Sequence, residues 1–322
     1  MASQNKVLVV VDTPGWAYDH KADSISRNID GFDCKKVYFK DFRWNMALES
    51  DVVFLMGYFY FNPIEIPNLF KEKVVSTLTS FSFEKDPIRK QMINLACSTY
   101  ARSGAVSRDL FEVLEKEGAN SAVLCPNGVE EEVFTPSPRE LGKDRNLRVG
   151  LVCSKRDDTF DFKGLESIAK PLFRQLSGAR IEVDPIVVDS FDRSGLKNQG
   201  EMVEYYHSID VLISTSHRYS EGTPNPAFEA ASCGVPVVST QNGCIKDLIS
   251  HGENGFMADG WWDKDTAEIS LAQMAKYILQ LEEDRPLLRA MGQCIRSTVE
   301  QSWTWAEKAQ EYKELFNLDG KR

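Results

Sequence analysis

Two glutamates of this sequence are spaced so that their carboxylates could bind a polyhydroxylated ligand. Seven residues separate them, in the stretch Glu221-Gly-Thr-Pro-Asn-Pro-Ala-Phe-Glu229. A carboxylate accepts hydrogen bonds, so that each of these groups is suited to paired hydroxyls such as those of a ribose or a hexose. The stretch therefore indicates a site that binds sugar hydroxyls.

The residues in and after this stretch predict that a helix begins between the two glutamates. Asn225 is a favourable N-cap residue, and Pro226 suits the first helical position, where its missing N–H is not needed. Gly234 is placed to end the helix, and the apolar run after it predicts a buried strand. A helix that follows the Val211–Thr215 strand begins beyond the carboxyl end of the sheet, where open α/β folds bind ligands. Its free N–H groups favour an anion there.

A plainer interpretation of the same residues is also open. Glu221 would then be a solvated loop residue, and Glu229 a charge that stabilises the first turn of the helix. A short motif alone does not decide between these interpretations.

The whole chain repeats the alternation of strand and helix. The predicted strands are Lys6–Val11, Cys34–Phe39, Asp51–Met56, Lys73–Thr79, Ser121–Cys125, Leu147–Cys153, Ile181–Val188, Val211–Thr215 and Pro236–Ser239. The predicted helices are Ala17–Ile29, Pro87–Ala96, Ser107–Glu117, Gly164–Leu176, Gly200–His207, Pro226–Cys233, Ile245–Ile249, Ala267–Leu281, Arg285–Ser297 and Trp303–Phe316. Because parallel strands need crossover helices, this order predicts an α/β fold.

A polar, proline-containing stretch at 133–145 interrupts the alternation and is interpreted as an interdomain linker. The sequence thus predicts an N-terminal lobe over 1–140 and a C-terminal lobe over 141–302. The helix over 303–318 is expected to pack back on the first lobe.

Composition narrows the function classes. The net charge of −10 disfavours nucleic acid as a partner, because such proteins need basic surface. Seven scattered cysteines, without a C-x-x-C pair, are typical of reduced thiols rather than of disulfides or a zinc site. No apolar run approaches the length of a transmembrane segment, and the apolar run at the N-terminus is too short for a signal peptide. We expect a soluble, cytoplasmic protein.

Several segments, in the same order along the chain, resemble the family-4 type of retaining glycosyltransferases (glycosyl transferases group 1), which have the GT-B fold. The glutamate pair resembles the family's E-x7-E signature, and Cys125-Pro-Asn-Gly-Val-Glu-Glu-Glu-Val-Phe134 resembles its PNGVD…F turn. The segment 202–216 is similar to its YY…ADV…PS pattern, and 242–256 to its GG…E.I..G.NGF pattern. The resemblance extends over 121–316 and implies two Rossmann-like lobes that face each other across a cleft.

The resemblance implies roles for individual residues. Glu229 would bind the ribose of a nucleotide-sugar donor, and Glu221 would contact the transferred sugar. Lys163 matches a lysine that neutralises the diphosphate. An arginine that assists this lysine in the family has no clear counterpart, because the segment before Lys163 carries an insertion, and either Lys155 or Arg156 takes that place.

Backbone groups complete the implied donor site. In the family, the backbone amides after the first glutamate bind the sugar and the diphosphate. Pro224 and Pro226 have no N–H, so the amides that remain as donors here are those of Thr223, Asn225, Ala227 and Phe228. Gly15 lies in the loop after the first strand, where the family brings backbone close to the phosphates.

The expected reaction is a metal-independent transfer, with retention, from a nucleoside-diphosphate sugar to a hydroxyl of a glycan, a lipid-linked sugar or a protein. No cofactor is expected. Asp157, Asp158 and Asp161 are interpreted as a solvated loop rather than a magnesium site, since the site already has cationic side chains. A nucleotide-sugar 2-epimerase and a non-catalytic nucleotide-sugar binder are the alternatives. An NAD dehydrogenase is disfavoured, because no G-x-G-x-x-G follows the first strand.

Overall fold

A computed structural model describes the fold over residues 4–57, 65–80, 93–94, 97–138, 141–142, 144–155, 161–189, 194–218 and 220–318. The chain divides into two compact units. The first unit comprises 1–128 and 305–322, and the second comprises 129–304.

Among the described residues, the strands are β1 (Asn5–Val11), β2 (Phe32–Tyr38), β3 (Val52–Leu55), β4 (Val74–Leu78), β5 (Arg102–Ala105), β6 (Ala122–Leu124), β7 (Leu147–Lys155), β8 (Ile181–Asp189), β9 (Val211–Ser214), β10 (Val237–Thr240) and β11 (Gly255–Ala258). The α-helices are α1 (Ala17–Asn28), α2 (Arg108–Lys116), α3 (Lys170–Leu176), α4 (Gln199–Ser208), α5 (Asn225–Ser232), α6 (Ile245–Leu248), α7 (Lys264–Glu283), α8 (Arg285–Ser302) and α9 (Trp305–Phe316). A π-helical turn, Leu165–Ala169, leads directly into α3.

The first unit is built on a parallel six-stranded sheet of order β2-β1-β3-β4-β5-β6. Strands β1 and β3 contain continuous apolar runs, as expected of strands that are buried on both faces of such a sheet. The last helix, α9, belongs to this unit although it lies at the far end of the chain. Its Tyr312 and Phe316 are fully buried, and both rings pack against Phe54 of β3.

The second unit has a parallel five-stranded sheet of order β11-β10-β9-β7-β8. One apolar cluster lies between the sheet and the helices α3, α7 and α8, and a second lies under α4, α5 and α6. The carboxyl ends of β7, β9 and β10 meet at one edge of this sheet, and the candidate site is built on the loops that follow them.

The α/β class predicted from the sequence is confirmed, and two strands are additional to the prediction. Strand β5 has the sequence Arg-Ser-Gly-Ala, which lacks the β-branched and aromatic residues of a typical strand. Its Gly104 is needed for packing, because a Cβ there would lie 2.5 Å from Cys125 Sγ. Strand β11, only four residues long, was also missed. The predicted helix Pro87–Ala96 lies almost entirely outside the described residues.

The two units divide at 128/129 rather than at 140/141. The start of the predicted linker is part of the second unit, since Phe134 is buried and its carbonyl accepts hydrogen bonds from Ser232 Oγ (2.7 Å) and Arg296 Nη1 (3.0 Å). Among the described helices, none is both long and apolar enough to cross a membrane.

Candidate functional site

The candidate site begins with the loop that follows β7. Asp161 organises this loop, because its carboxylate accepts hydrogen bonds from three successive backbone N–H groups, those of Leu165 (2.9 Å), Glu166 (2.9 Å) and Ser167 (2.7 Å). These donors would otherwise be unsatisfied at the start of a helix. This helix start is therefore occupied by the protein's own carboxylate, and Asp161 is not available as a metal ligand.

Lys163 is held in place by the loop that follows β9. Its carbonyl oxygen accepts a hydrogen bond from Thr215 Oγ1 (2.8 Å). Gly164 has a left-handed backbone (φ +67°), and a Cβ at this position would lie 2.1 Å from Thr215 O. Only glycine allows the two loops to approach this closely.

Two neighbouring contacts reinforce this loop pairing. His217 N–H and Ser220 Oγ both donate to the carbonyl of Phe162, at 2.9 and 3.0 Å. Trp261, which is buried, donates from Nε1 to Thr215 O (2.9 Å). The backbone that carries Lys163 is thus fixed on both sides.

The pairing brings Lys163 and Glu221 into direct contact. Lys163 Nζ forms an ion pair with Glu221 Oε1, and Ser216 Oγ donates to the same oxygen at 3.1 Å. Both charged side chains remain accessible, with 30% of Lys163 and 18% of Glu221 exposed. Residues far apart in the sequence thus form one small cluster that solvent and ligands can reach.

The loop after β10 fixes the other side of Glu221. Cys244 N–H donates to Gly222 O (2.8 Å). Gly243 lies against the same turn with φ +44°, and a Cβ on it would approach Gly222 O to 2.1 Å and Glu221 O to 2.6 Å. The backbone position of Glu221 therefore depends on a glycine in a different loop.

Helix α5 begins beside this cluster. It starts at Asn225, one residue earlier than expected, so that Asn225 is its first residue rather than its N-cap. The residue in front is Pro224, which has no side-chain acceptor, and its carbonyl accepts from Ala227 N–H (2.9 Å). The Ala227 amide, expected to be open to a ligand, is thus used within the turn.

Two other expected contributors near the start of α5 are largely buried. Thr223 is 9% exposed, and its Oγ1 lies 3.7 Å from Cys244 Sγ. The ring of Phe228 packs against Trp303, with the ring centroids 4.7 Å apart. Their side chains belong to the packing of the helix, and only their backbone groups are candidates for a ligand.

Glu229 lies inside α5 and has a tyrosine as its partner. Tyr206 Oη donates to Glu229 Oε2 at 2.7 Å. Burial raises the pKa of the Glu229 carboxyl, and the hydrogen bond from Tyr206 opposes part of that rise. The pKa of Tyr206 is raised well above its usual value, mainly by burial and also by the neighbouring carboxylate, so Tyr206 is a permanent donor.

Three predicted residues, Lys155, Arg156 and Gly15, remain. Lys155 is the exposed last residue of β7, and Arg156 lies outside the described residues. Gly15 belongs to the first unit, where it has φ +74° and donates its N–H to Asp19 Oδ2 (2.8 Å). The amide of Gly15 is therefore used by its own helix.

Two parts of the site were not identified from the sequence. Ser216 is the last residue of the segment 202–216 that resembles a family pattern, but nothing in its spacing indicates a contact with Glu221. Tyr206 also lay in a recognised motif, and its position two residues from the end of α4 gave no sign of its contact with Glu229. Over the residues that the structure describes, no group of three or more His, Cys, Asp and Glu could hold a metal ion.

Part of the second unit is similar to a known protein family. Residues 193–298 match the family Glycosyl transferases group 1. The chain is 24% identical over 213 residues to a D-inositol 3-phosphate glycosyltransferase of Thermobispora bispora, covering 56% of this chain and 49% of that protein. It is 27% identical over 121 residues to an N-acetyl-alpha-D-glucosaminyl L-malate synthase of Bacillus anthracis, covering 38% and 29%. The chain thus spans half or less of the length of these curated relatives.

Solved structures resemble the fold over nearly the whole chain. Sucrose-phosphate synthase from Thermosynechococcus elongatus has a TM-score of 0.70 at 12% identity, covering 97% of this chain and 98% of that one. Anabaena HepE in complex with UDP and glucose has a TM-score of 0.69 at 16% identity, covering 97% and 99%. At these identities the likeness concerns the fold, and it confirms the GT-B class predicted from the sequence.

Proposed function

We propose that this chain transfers a sugar from a nucleoside-diphosphate sugar to the hydroxyl of an acceptor, since residues 193–298 of its second unit match the family Glycosyl transferases group 1. The observation that carries the proposal is the Lys163–Glu221–Ser216 cluster at the carboxyl edge of the second sheet. It sets an accessible cation and an accessible carboxylate beside the start of α5, where phosphate and hydroxyl groups would both find partners.

Each charged residue has one role in this proposal. Lys163 binds the diphosphate, Glu221 binds hydroxyls of the transferred sugar, and Glu229 binds the ribose. Glu221 orders the ammonium group of Lys163 through their ion pair before a phosphate group binds. Bound phosphate then shares this cation with Glu221.

The chemical step creates negative charge on the departing nucleoside diphosphate. A fixed cation at that oxygen lowers the barrier, because it interacts more strongly with the transition state than with the ground state. Lys163 supplies that charge without a metal ion, so we propose a metal-independent reaction. Retention at the anomeric carbon is proposed from the similarity of the glutamate pair to the E-x7-E signature.

The choice of donor is guided by the relatives. The HepE structure contains UDP and glucose, which favours a uridine nucleotide as the first donor to test here. The curated relatives are named for an inositol phosphate and for L-malate, both of which carry hydroxyl groups. The acceptor is proposed as a hydroxyl compound, with glycans, lipid-linked sugars and proteins as the classes to test.

A thermal-shift screen with UDP-, GDP-, ADP- and dTDP-sugars is the first experiment, since a ligand that binds the native state raises its melting temperature. Product analysis then separates the reactions. Transfer or slow hydrolysis of the donor supports a glycosyltransferase, whereas an epimerised donor indicates an isomerase. Binding without any turnover indicates a non-catalytic binder.

Lys163→Ala is expected to lower kcat/KM for the donor by about 10²–10³-fold, the usual loss when one group that stabilises developing charge is removed. Lys170→Ala is the matched control, because Lys170 lies seven residues further on and forms an exposed ion pair with Glu166. The control should keep full activity. Equal kinetics for both variants would show that Lys163 does not bind the donor. Loss of wild-type activity in EDTA would contradict metal independence.

A further inference from the structure

Tyr206 is a buried polar residue whose hydroxyl donates to the Glu229 carboxylate rather than to the backbone. The residue is fully buried near the end of α4, and its hydroxyl donates to Glu229 Oε2 at 2.7 Å. A buried hydroxyl needs a partner, but a backbone carbonyl would serve equally well. The neighbouring Tyr205 shows that arrangement, since its hydroxyl bonds to Leu151 N (3.0 Å) and to the carbonyl of Asp184.

The ring of Tyr206 has little freedom to move. It packs edge-on against Phe134, with centroids 6.0 Å apart, and against Tyr205, with centroids 5.7 Å apart. The carbonyl of Phe134 is bonded in turn to Ser232, the last residue of α5 (2.7 Å). Tyr206 and the helix that carries Glu229 are therefore anchored to the same turn, so the hydroxyl and the carboxylate are fixed relative to each other.

This contact has two effects on Glu229. It selects one side-chain conformation, in which Oε2 is bound to Tyr206 and Oε1 has no hydrogen-bond partner among the described residues, so that Oε1 can accept from ribose hydroxyls. It also stabilises the ionised carboxyl group, because a hydrogen bond to the charged form opposes the effect of burial on the pKa. A preoriented, ionised acceptor binds a pair of hydroxyls without a further cost of side-chain ordering.

We propose that Tyr206 is a positioning residue for the donor ribose, and that its hydroxyl fixes the Glu229 carboxylate as the acceptor of the 2′- and 3′-hydroxyls. This inference rests on the proposed function, in which Glu229 binds the ribose. It adds a residue that touches no part of the donor and acts only through Glu229.

The test measures ribose recognition directly, without turnover. The dissociation constants of UDP, GDP and ADP are compared with those of their 2′,3′-dideoxy counterparts. The readout is the dissociation constant of the dideoxynucleotide divided by that of the ribonucleotide, for whichever of the three nucleotides binds most tightly. Wild-type protein should prefer the ribonucleotide, and Tyr206→Phe, which keeps the ring, should reduce that preference about tenfold, the scale of one hydrogen bond to a charged group. Glu229→Gln should reduce it at least as much.

Tyr205→Phe is the matched control, because it removes a buried hydroxyl from the adjacent residue of the same helix. It should lower stability to a similar extent and leave the ribose preference unchanged. The preference should also titrate with Glu229, and Tyr206→Phe should move that titration to higher pH, because the carboxylate loses the hydrogen bond that favours its ionised form. A role in packing alone would not shift this titration.

The outcomes separate the two claims. If Glu229→Gln abolishes the preference but Tyr206→Phe does not, Tyr206 has no positioning role and the proposed function stands. If no ribonucleotide binds, or if Glu229→Gln leaves the preference intact, the role proposed for Glu229 fails and this inference fails with it. An equal loss in Tyr205→Phe and Tyr206→Phe would show a general effect of destabilisation and overturn the inference.

Discussion

At the residue scale, the ionisation of the Glu229 carboxyl group links the stability of the protein to pH. Burial raises its pKa above the ordinary 4.5, and the Tyr206 hydrogen bond limits that rise. A folded-state pKa above the unfolded-state value contributes stability that is fully present below pH 4.5. That contribution is lost as the pH rises through the folded-state pKa, because the unfolded chain releases this proton first.

The free energy of unfolding of Glu229→Gln, relative to that of the wild type, should therefore be higher at pH 7.5 than at pH 4. The glutamine keeps an oxygen for Tyr206 and carries no buried charge, so only the wild type is destabilised as the pH rises. The measurement is the midpoint of urea unfolding for both proteins at both pH values. Glu268→Gln, on an exposed side chain, is the control and should show a constant difference. A constant difference for Glu229→Gln would mean that its carboxyl is not destabilised by burial.

At the element scale, the site depends on loops that pack through glycines. Gly243 has φ +44° and lies against the turn that carries Glu221, whereas Gly252 has φ +84° and no atom within 4 Å of a Cβ placed there. Both Gly→Ala substitutions strain a left-handed backbone, at a cost of about 1–2 kcal/mol. Only Gly243→Ala also pushes a methyl group into Gly222 O.

Gly243→Ala should therefore weaken binding of the nucleotide-sugar donor by tenfold or more, in addition to its loss of stability, because it displaces the backbone of Glu221, which is proposed to bind the transferred sugar. Gly252→Ala should lose stability alone. Isothermal titration with the nucleotide-sugar selected by the thermal-shift screen, together with thermal unfolding, distinguishes the two effects. Unchanged affinity in Gly243→Ala would show that the Glu221 turn tolerates this displacement.

At the scale of the whole molecule, the chain divides into two compact units, and the last helix contributes to the apolar core of the first. Phe316 is 1% exposed in that core, so Phe316→Ala should destabilise the first unit by about 3–5 kcal/mol. Nucleotide affinity should stay within about twofold of the wild type, because the charged residues proposed for the donor lie in the second unit.

Glu314→Ala, on the exposed side of the same helix, should leave both properties unchanged. Unfolding followed by near-UV circular dichroism and nucleotide titration are the two measurements. A large loss of affinity in Phe316→Ala would show that the donor site depends on the first core.

The sequence alone determined the features that follow from local patterns. Apolar runs alternating with helical segments established the α/β class, and proline and glycine near 224–234 located helix α5 to within one residue. These patterns are readable because strand and helix periods, turn residues and caps act over a few neighbouring positions. The family resemblance depended on the same short stretches.

Only the tertiary structure decided which distant residues meet. Lys163 and Glu221 are 58 positions apart, and Tyr206 and Glu229 are 23 apart, so no local period relates them. Strand β5 is poor in strand-forming residues, and its Gly104 allows close packing against neighbours that are distant in the sequence. Asp161 could have been a solvated residue or a metal ligand, and it became a helix cap because the chain folds three N–H groups onto it. Such contacts are set by packing of the whole unit, which a linear pattern does not encode residue by residue.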